Sequence, residues 1–151
     1  MFWGCMSIHG PGFGCRIDGN LNADLYVQIL DGEMLDSVQL FGFDRDSFVF
    51  QHDNDPKHSS IRTREWLISN KIHVLDWPAQ SPDLNPIEHL WAHIKRQLAD
   101  YNEAPVGMNE LWLRVEAEWD KIEKETCVNL IHSMPRRVAA VLKAKGGYTK
   151  Y

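Results

Sequence analysis

Apolar and polar positions along the chain follow two different periods, and the changes of period divide it into elements. Phe2 to Ile8 and Phe13 to Ile17 are short apolar stretches separated by His9-Gly10-Pro11-Gly12, a turn-rich linker that predicts a hairpin. From Asn22, a residue suited to capping, Leu25, Tyr26, Ile29 and Leu30 recur at helical spacing, with further apolar residues at Leu35, Val38 and Leu40. Ser47 to His52 reads as a buried strand closed by the turn Asp53-Asn54-Asp55-Pro56. Ser59 or Ser60 can then cap a helix running to about Asn70, with Ile61, Trp66, Leu67 and Ile68 as its expected buried side.

Ile72, Val74 and Leu75 mark another strand, which Pro78 ends, and a polar, proline-punctuated loop follows to Asn85. The next helix is strongly signalled. Asn85 can cap it, Pro86 suits its first position, and Ile87, Leu90, Trp91, Ile94 and Leu98 form one apolar stripe. Trp112, Val115, Trp119 and Ile122 make a second stripe; Val138, Val141 and Leu142 belong to a third helix that Pro135 opens and Gly146-Gly147 stops. Strands alternate with helices along the chain, and no internal repeat, low-complexity tract or second domain is visible.

Composition narrows the classes. A chain of 151 residues is expected to form one domain that buries roughly two-thirds of its surface. Its hydrophobic share of 44% and charged share of 25% exclude neither a core nor a soluble surface. No apolar run is long enough for a membrane span, and the start lacks the pattern of a signal peptide, so an intracellular protein with no membrane partner is expected. Cys5, Cys15 and Cys127 form no CxxC pair and leave one over, which suggests core thiols rather than a disulfide framework or a zinc site. The formal net charge of −5 is unevenly spread. Residues 1 to 50 carry two basic and seven acidic side chains, whereas 127 to 151 hold Arg136, Arg137, Lys143, Lys145 and Lys150 with no acid. That asymmetry permits a local phosphate-binding surface, although a solvated helix face and tail would read the same.

Candidate chemistry rests on two acids. Asp53 ends the apolar run before it, Glu88 stands at a helix start, and residues 54 to 87, 34 in number, lie between them. Each has a simple structural reading: a turn wants Asp, and Glu three residues after the Asn85 cap completes a capping-box-like arrangement. Together they suggest more. A strand-end Asp and a helix-start Glu separated by one βαβ-like crossover suit a metal-dependent phosphoryl-transfer site, because magnesium takes hard oxygen ligands and is commonly held by one or two carboxylates plus substrate phosphate. Two ions about 4 Å apart can activate the attacking oxygen and stabilise the leaving one.

Two segments carry a resemblance. Phe50-Gln51-His52-Asp53-Asn54-Asp55-Pro56-Lys57-His58 and Trp77-Pro78-Ala79-Gln80-Ser81-Pro82-Asp83-Leu84-Asn85-Pro86-Ile87-Glu88-His89-Leu90-Trp91 resemble the catalytic domain of mariner-superfamily DDE transposases. The likeness extends from Trp3-Gly4-Cys5 through Ser133-Met134-Pro135-Arg136-Arg137 to Gly146-Gly147-Tyr148-Thr149-Lys150-Tyr151. It implies an α/β, ribonuclease-H-like fold, a mixed sheet flanked by helices. It also implies that Asp53 is the second catalytic carboxylate and Glu88 the third, in the branch with 34 residues between them, both binding magnesium or manganese in a two-metal site. In such enzymes the metals activate water to cut at a transposon end, and the freed 3′-hydroxyl attacks target DNA. DNA partners, a homodimer and a nuclear location follow from the same resemblance.

The family's first catalytic Asp lies on a strand preceding the Trp3-Gly4-Cys5 segment, and this chain begins at that segment. The expectation is therefore a partial DDE domain over 1–151, N-terminally truncated, without its first strand, its first Asp or a DNA-reading helix-turn-helix domain. The alternative is a catalytically inactive ribonuclease-H-like module that binds DNA or protein. Lys57, His58, Lys95 and Arg96 flank the acidic pair and can contact phosphate or simply be solvated. Asn54 and Asn85 can orient the carboxylates or serve only as turn and cap. His89 and His93 lie four apart on one helix, but HExxH is absent and no third zinc ligand has matching spacing. Trp66, Trp91, Trp112 and Trp119 read as core rather than as platforms for bases.

Overall fold

The predicted hairpin forms from β1, Phe2–Ser7, and β2, Gly10–Arg16. Its base is closed by reciprocal backbone bonds, from Ile17 N to Met1 O at 2.8 Å and from Met1 N to Ile17 O at 3.0 Å. This computed structural model describes residues 1–44, 47–78, 81–147 and 149. Two units are distinguished: Met1–Cys5 with Gly12–Ser81, and Met6–Pro11 with Pro82–Tyr151.

In the first unit, Asn22 caps α1, Ala23–Ile29, by accepting a bond from Leu25 N at 2.8 Å. The helical path continues through a π-helical stretch, Leu30–Met34, into α2, Leu35–Leu40. Tyr26, Leu30, Met34, Leu35 and Val38 from this path join Leu67 and Ile72 in a core, against which Trp3, Leu21, Phe43, Phe48, Phe50 and Trp66 pack. Gly12 lies where β2 meets α2. A Cβ there would stand 2.6 Å from both Cys5 Sγ and Ser37 Oγ, so only glycine fits.

Helix α3, Ile61–Ser69, starts at Ser60, whose Oγ accepts from Thr63 N at 3.1 Å. Its buried side differs from the expected one. Ile61 and Ile68 are each 76% exposed, while Thr63 and Leu67 are buried, because α3 packs on α1 along the row four residues apart that those two share. The buried Thr63 hydroxyl is satisfied by donating to Lys57 O at 2.8 Å.

The predicted strands are present but shorter and less buried. β3, Val49–Phe50, pairs in parallel with β4, His73–Val74, in the register Val49 to His73 and Phe50 to Val74. Alternation explains the exposure: Phe48 and Phe50 turn to the core, and Val49, facing the other way, is 55% exposed. β3 and β4 set out Asp53 and Trp77, three residues beyond each strand.

The second unit runs through a 3-10 turn, Pro82–Leu84, into α4, Ile87–Ala99. Leu90 and Ile94 are buried as the stripe predicts, and Trp91 stacks on Trp119 of α5, Gly107–Asp120, with ring centroids 5.3 Å apart. Pro86 rather than Asn85 is the cap of α4, with no side-chain cap bond; Asn85 contributes its backbone carbonyl, which accepts from Glu88 N at 3.2 Å. Helix α6, Lys124–His132, has no counterpart among the predicted elements and buries Cys127 completely. Helix α7, Met134–Lys143, has Pro135 in its first turn as expected, but Val138 and Leu142 are exposed and the buried residue is Arg137. Burial holds the Cys5, Cys15 and Cys127 thiols at about 11, and all three are free. Among the described residues, no helix is long and apolar enough to cross a membrane.

Candidate functional site

Asp53 lies in the first unit and Glu88 in the second, so the surroundings of each carboxylate stand separately. Asp53 follows β3, where the chain turns through Asn54, Asp55 and Pro56. Its side chain is 52% exposed, with Oδ1 2.5 Å from His58 Nδ1 and accepting from Asp55 N at 3.1 Å. Asn54 does not bond Asp53; its Nδ2 donates to Trp77 O at 2.7 Å and ties the loop after β3 to the chain after β4. Lys57 turns to Asp55, with Nζ 2.8 Å from Oδ2 and its backbone N donating to Oδ1 at 2.9 Å. Desolvation is the largest single influence on Asp55 and would raise it, yet the Lys57 bonds and the Lys57 and His58 charges together hold it below the usual carboxylate range.

Behind the turn stands a stack of rings. His58 lies on Tyr26 with centroids 4.0 Å apart, and the Tyr26 hydroxyl is 3.3 Å from His52 Nδ1. Tyr26 is almost fully buried; that desolvation, with the Asp53 and Asp55 charges, pushes its hydroxyl above the usual range. His52 is pushed down to about 4 by desolvation first and the neighbouring His58 second, against the opposing pull of Asp53.

Glu88 is exposed in the first turn of α4, where the positive end of the helix favours a carboxylate. The turn before it is held from behind by Arg137. Arg137 is 2% exposed and donates from Nε to Ser133 Oγ at 2.7 Å, and from Nη1 to Asp83 O at 3.2 Å and His89 Nε2 at 2.7 Å. Since guanidinium only donates, His89 Nε2 carries a lone pair there; desolvation first and the Arg137 charge second hold His89 below its ordinary value. The Asp83 carboxylate accepts from Thr149 N at 3.0 Å and Thr149 Oγ1 at 2.7 Å, bonds that hold it below the usual range. Lys95 and Arg96 are exposed on α4.

The structure thus brings Asp53 together with His58, and Lys57 with Asp55. It also changes the basic C-terminal segment: Arg136, Lys143 and Lys145 face solvent, Arg137 is internal, and Lys150 lies outside the described residues. Sequence reasoning missed Tyr26, which stands behind the Asp53 turn, and Arg137, which stands behind the Glu88 turn. Tyr26 fits a helical apolar stripe, and Arg137 bonds residues 48 and 54 positions away, so no local pattern signals either. Asp53 and Glu88 offer exposed carboxylate oxygens, a donor chemistry that fits a hard divalent cation retaining several waters. Among the described residues, no three His, Cys, Asp or Glu side chains gather into a metal-holding group.

Residues 2–106 match a family model described as DDE superfamily endonuclease. The transposase of the transposable element Tcb1 of Caenorhabditis briggsae is 40% identical over 151 residues, all of this chain and 54% of the relative. That of Tc1 of Caenorhabditis elegans is 42% identical over 154 aligned positions, again all of this chain and 54% of the relative. The chain spans about half the length of these curated relatives. Among solved structures, the catalytic domain of the Mos1 transposase with raltegravir and magnesium superposes with a TM-score of 0.86 at 22% identity, covering 99% of this chain and 76% of that one. At that identity the likeness establishes the fold: mixed α/β, ribonuclease-H-like, as the two segments around Asp53 and Glu88 imply.

Proposed function

The chain belongs to the DDE superfamily endonuclease family, and from that premise we propose that it is a transposase catalytic domain that cuts and joins DNA strands by metal-dependent phosphoryl transfer. The observation that carries this reading is the family match over residues 2–106, which spans both Asp53 and Glu88, together with whole-chain identity of 40% to the Tcb1 transposase.

In this reading Asp53 and Glu88 are the second and third catalytic carboxylates and hold magnesium or manganese, the ion supplying charge neutralisation and a polarised oxygen nucleophile. The Mos1 catalytic domain solved with magnesium supports a divalent ion of this kind. The protein's own part is to place hard oxygens and to keep them charged. Asp53 is placed by the turn after β3 and by His58, and Glu88 by the first turn of α4, which Arg137 backs through Asp83 and His89. Lys95 and Arg96, exposed on the helix whose first turn carries Glu88, and Lys57, once released from Asp55, contact DNA phosphate, while Asn54 and Asn85 shape the two turns. The partners are transposon-end and target DNA, a second copy of the chain completes a homodimer, and the site of action is the nucleus.

Nicking of supercoiled plasmid DNA in manganese tests this reading. The purified chain is expected to convert supercoiled to nicked circles, and Asp53→Asn and Glu88→Gln, each confirmed as folded by its melting curve, to lose that conversion. Nicking that survives in either variant contradicts the assignment, and a folded wild-type chain that never nicks supports an inactive nucleic-acid-binding module instead.

A further inference from the structure

We propose that His58 is a positioning residue for Asp53: its Nδ1–H fixes Oδ1 and leaves Oδ2 as the oxygen presented to a divalent ion. The inference rests on the reading of Asp53 as a metal ligand and goes beyond it in assigning which oxygen binds and which side chain aims it.

Three observations carry it. First, Oδ1 takes two donors, His58 Nδ1 at 2.5 Å and Asp55 N at 3.1 Å, while Oδ2 takes none among the described residues. Two donors converging on one oxygen fix both side-chain torsions of Asp53 and turn the other oxygen outward, on a side chain that is 52% exposed. Second, His58 is itself held. Its side chain is 17% exposed, and its ring lies on the buried Tyr26 ring at 4.0 Å with planes 29° apart. Third, His58 Nε2 is buried with no hydrogen-bond partner among the described residues. A ring present only for packing would be better served by phenyl, which fills the same stack without burying an unpartnered nitrogen. What histidine adds is the single bond to Asp53. Because a carboxylate only accepts, the proton of that bond sits on Nδ1. Donation from a histidine to a metal-ligating carboxylate is an outer-shell contact that orders the ligand before the ion arrives.

The test combines a metal-free observation with a binding measurement, both on the whole chain. Long-range proton–nitrogen NMR of the ion-free chain is expected to show a proton on His58 Nδ1; a ring protonated at Nε2 alone overturns the inference outright. Manganese affinity, read by EPR of the free ion, is then compared for wild type, His58→Phe, His58→Asn and Asp53→Asn, with thermal unfolding run beside each. His58→Phe keeps a ring on Tyr26 and loses the N–H; His58→Asn loses the ring and returns an amide N–H near the position of Nδ1. Positioning predicts that His58→Phe weakens manganese binding about 10- to 100-fold and that His58→Asn recovers part of the loss. A packing role predicts the reverse order, with His58→Phe binding as wild type does. Asp53→Asn separates the two levels. If it binds manganese as wild type does, the metal-ligand reading itself fails; if it loses binding while His58→Phe keeps it, only the positioning role of His58 fails.

Discussion

Arg137→Met removes a buried guanidinium while keeping an unbranched side chain of similar reach, so it isolates the bonds behind the Glu88 turn. Arg137 is 2% exposed and donates to Ser133 Oγ, Asp83 O and His89 Nε2 at 2.7, 3.2 and 2.7 Å. Ser133 loses least, because its hydroxyl already donates to Leu130 O at 2.6 Å and that bond remains. Asp83 O and His89 Nε2 each lose a charged donor in a partly buried setting, which costs about 1–3 kcal/mol apiece. Against this stands the relief of no longer burying a cation, which offsets part of that loss of about 2–6 kcal/mol. The net expectation is a loss of about 1–3 kcal/mol, or roughly 3–10 °C in melting temperature for a chain of this size. Urea unfolding followed by tryptophan fluorescence measures it, and the Trp91–Trp119 stack reports from the same unit. Arg137→Lys, which offers a point charge in place of a planar fork, is expected to fall between. A Met variant within about 0.5 kcal/mol of wild type, inside ordinary surface-substitution scatter, would refute the idea that this guanidinium holds the turn.

Two further outcomes follow from the packing and the charges. Gly12→Ala places a Cβ 2.6 Å from Cys5 Sγ and Ser37 Oγ, and Ser37 is fixed by bonds from Phe13 N at 2.8 Å and to Glu33 O at 2.6 Å. The neighbours have little room to give, so a loss of about 1–3 kcal/mol is expected in a chemical melt, and an unchanged melt would show that the hairpin shifts freely. Glu118 is buried and accepts from Lys121 Nζ at 2.8 Å and Tyr101 Oη at 2.9 Å; these bonds, Lys121 first, hold its carboxyl below the ordinary value of 4.5. Its folded value is depressed, so it adds stability above that ordinary value and the contribution is lost as pH falls through the folded one. Glu118→Gln is therefore expected to be less stable than wild type at neutral pH and to lose less on acidification; an equally steep acid profile in thermal melts would contradict this.

The segments that sequence reading located well are those whose signals are local. Asn22 and Ser60 cap α1 and α3 through their own side chains, and Leu90 and Ile94 of α4 are buried as their spacing requires. Burial was misjudged where it depends on a distant partner. Ile61 and Ile68 are apolar and helical, yet α1 packs on the Thr63 and Leu67 row; Ser47 to His52 reads as a buried strand, yet only two of its residues pair and Val49 faces out. The π-helical stretch Leu30–Met34 leaves no mark on the apolar period, and α6 has too few apolar repeats to stand out from its neighbours. At the candidate site the acids themselves were legible, because a strand end followed by a turn and a helix start preceded by Pro86 are local patterns. What holds them was not. His58 reaches Asp53 only through a turn conformation, Tyr26 supports His58 from 32 positions away in the chain, and Arg137 reaches His89 across 48 positions.

Ligation of a divalent ion by Asp53 and Glu88 can be read from paramagnetic broadening by manganese. Amide resonances of the isotope-labelled chain would be followed while manganese is added well below one equivalent. Early, localised broadening is expected around both Asp53 and Glu88, reversed by excess magnesium and reduced around each position in its own Asp53→Asn or Glu88→Gln variant. Broadening centred on other acids, with the amides near 53 and 88 unaffected, would contradict it.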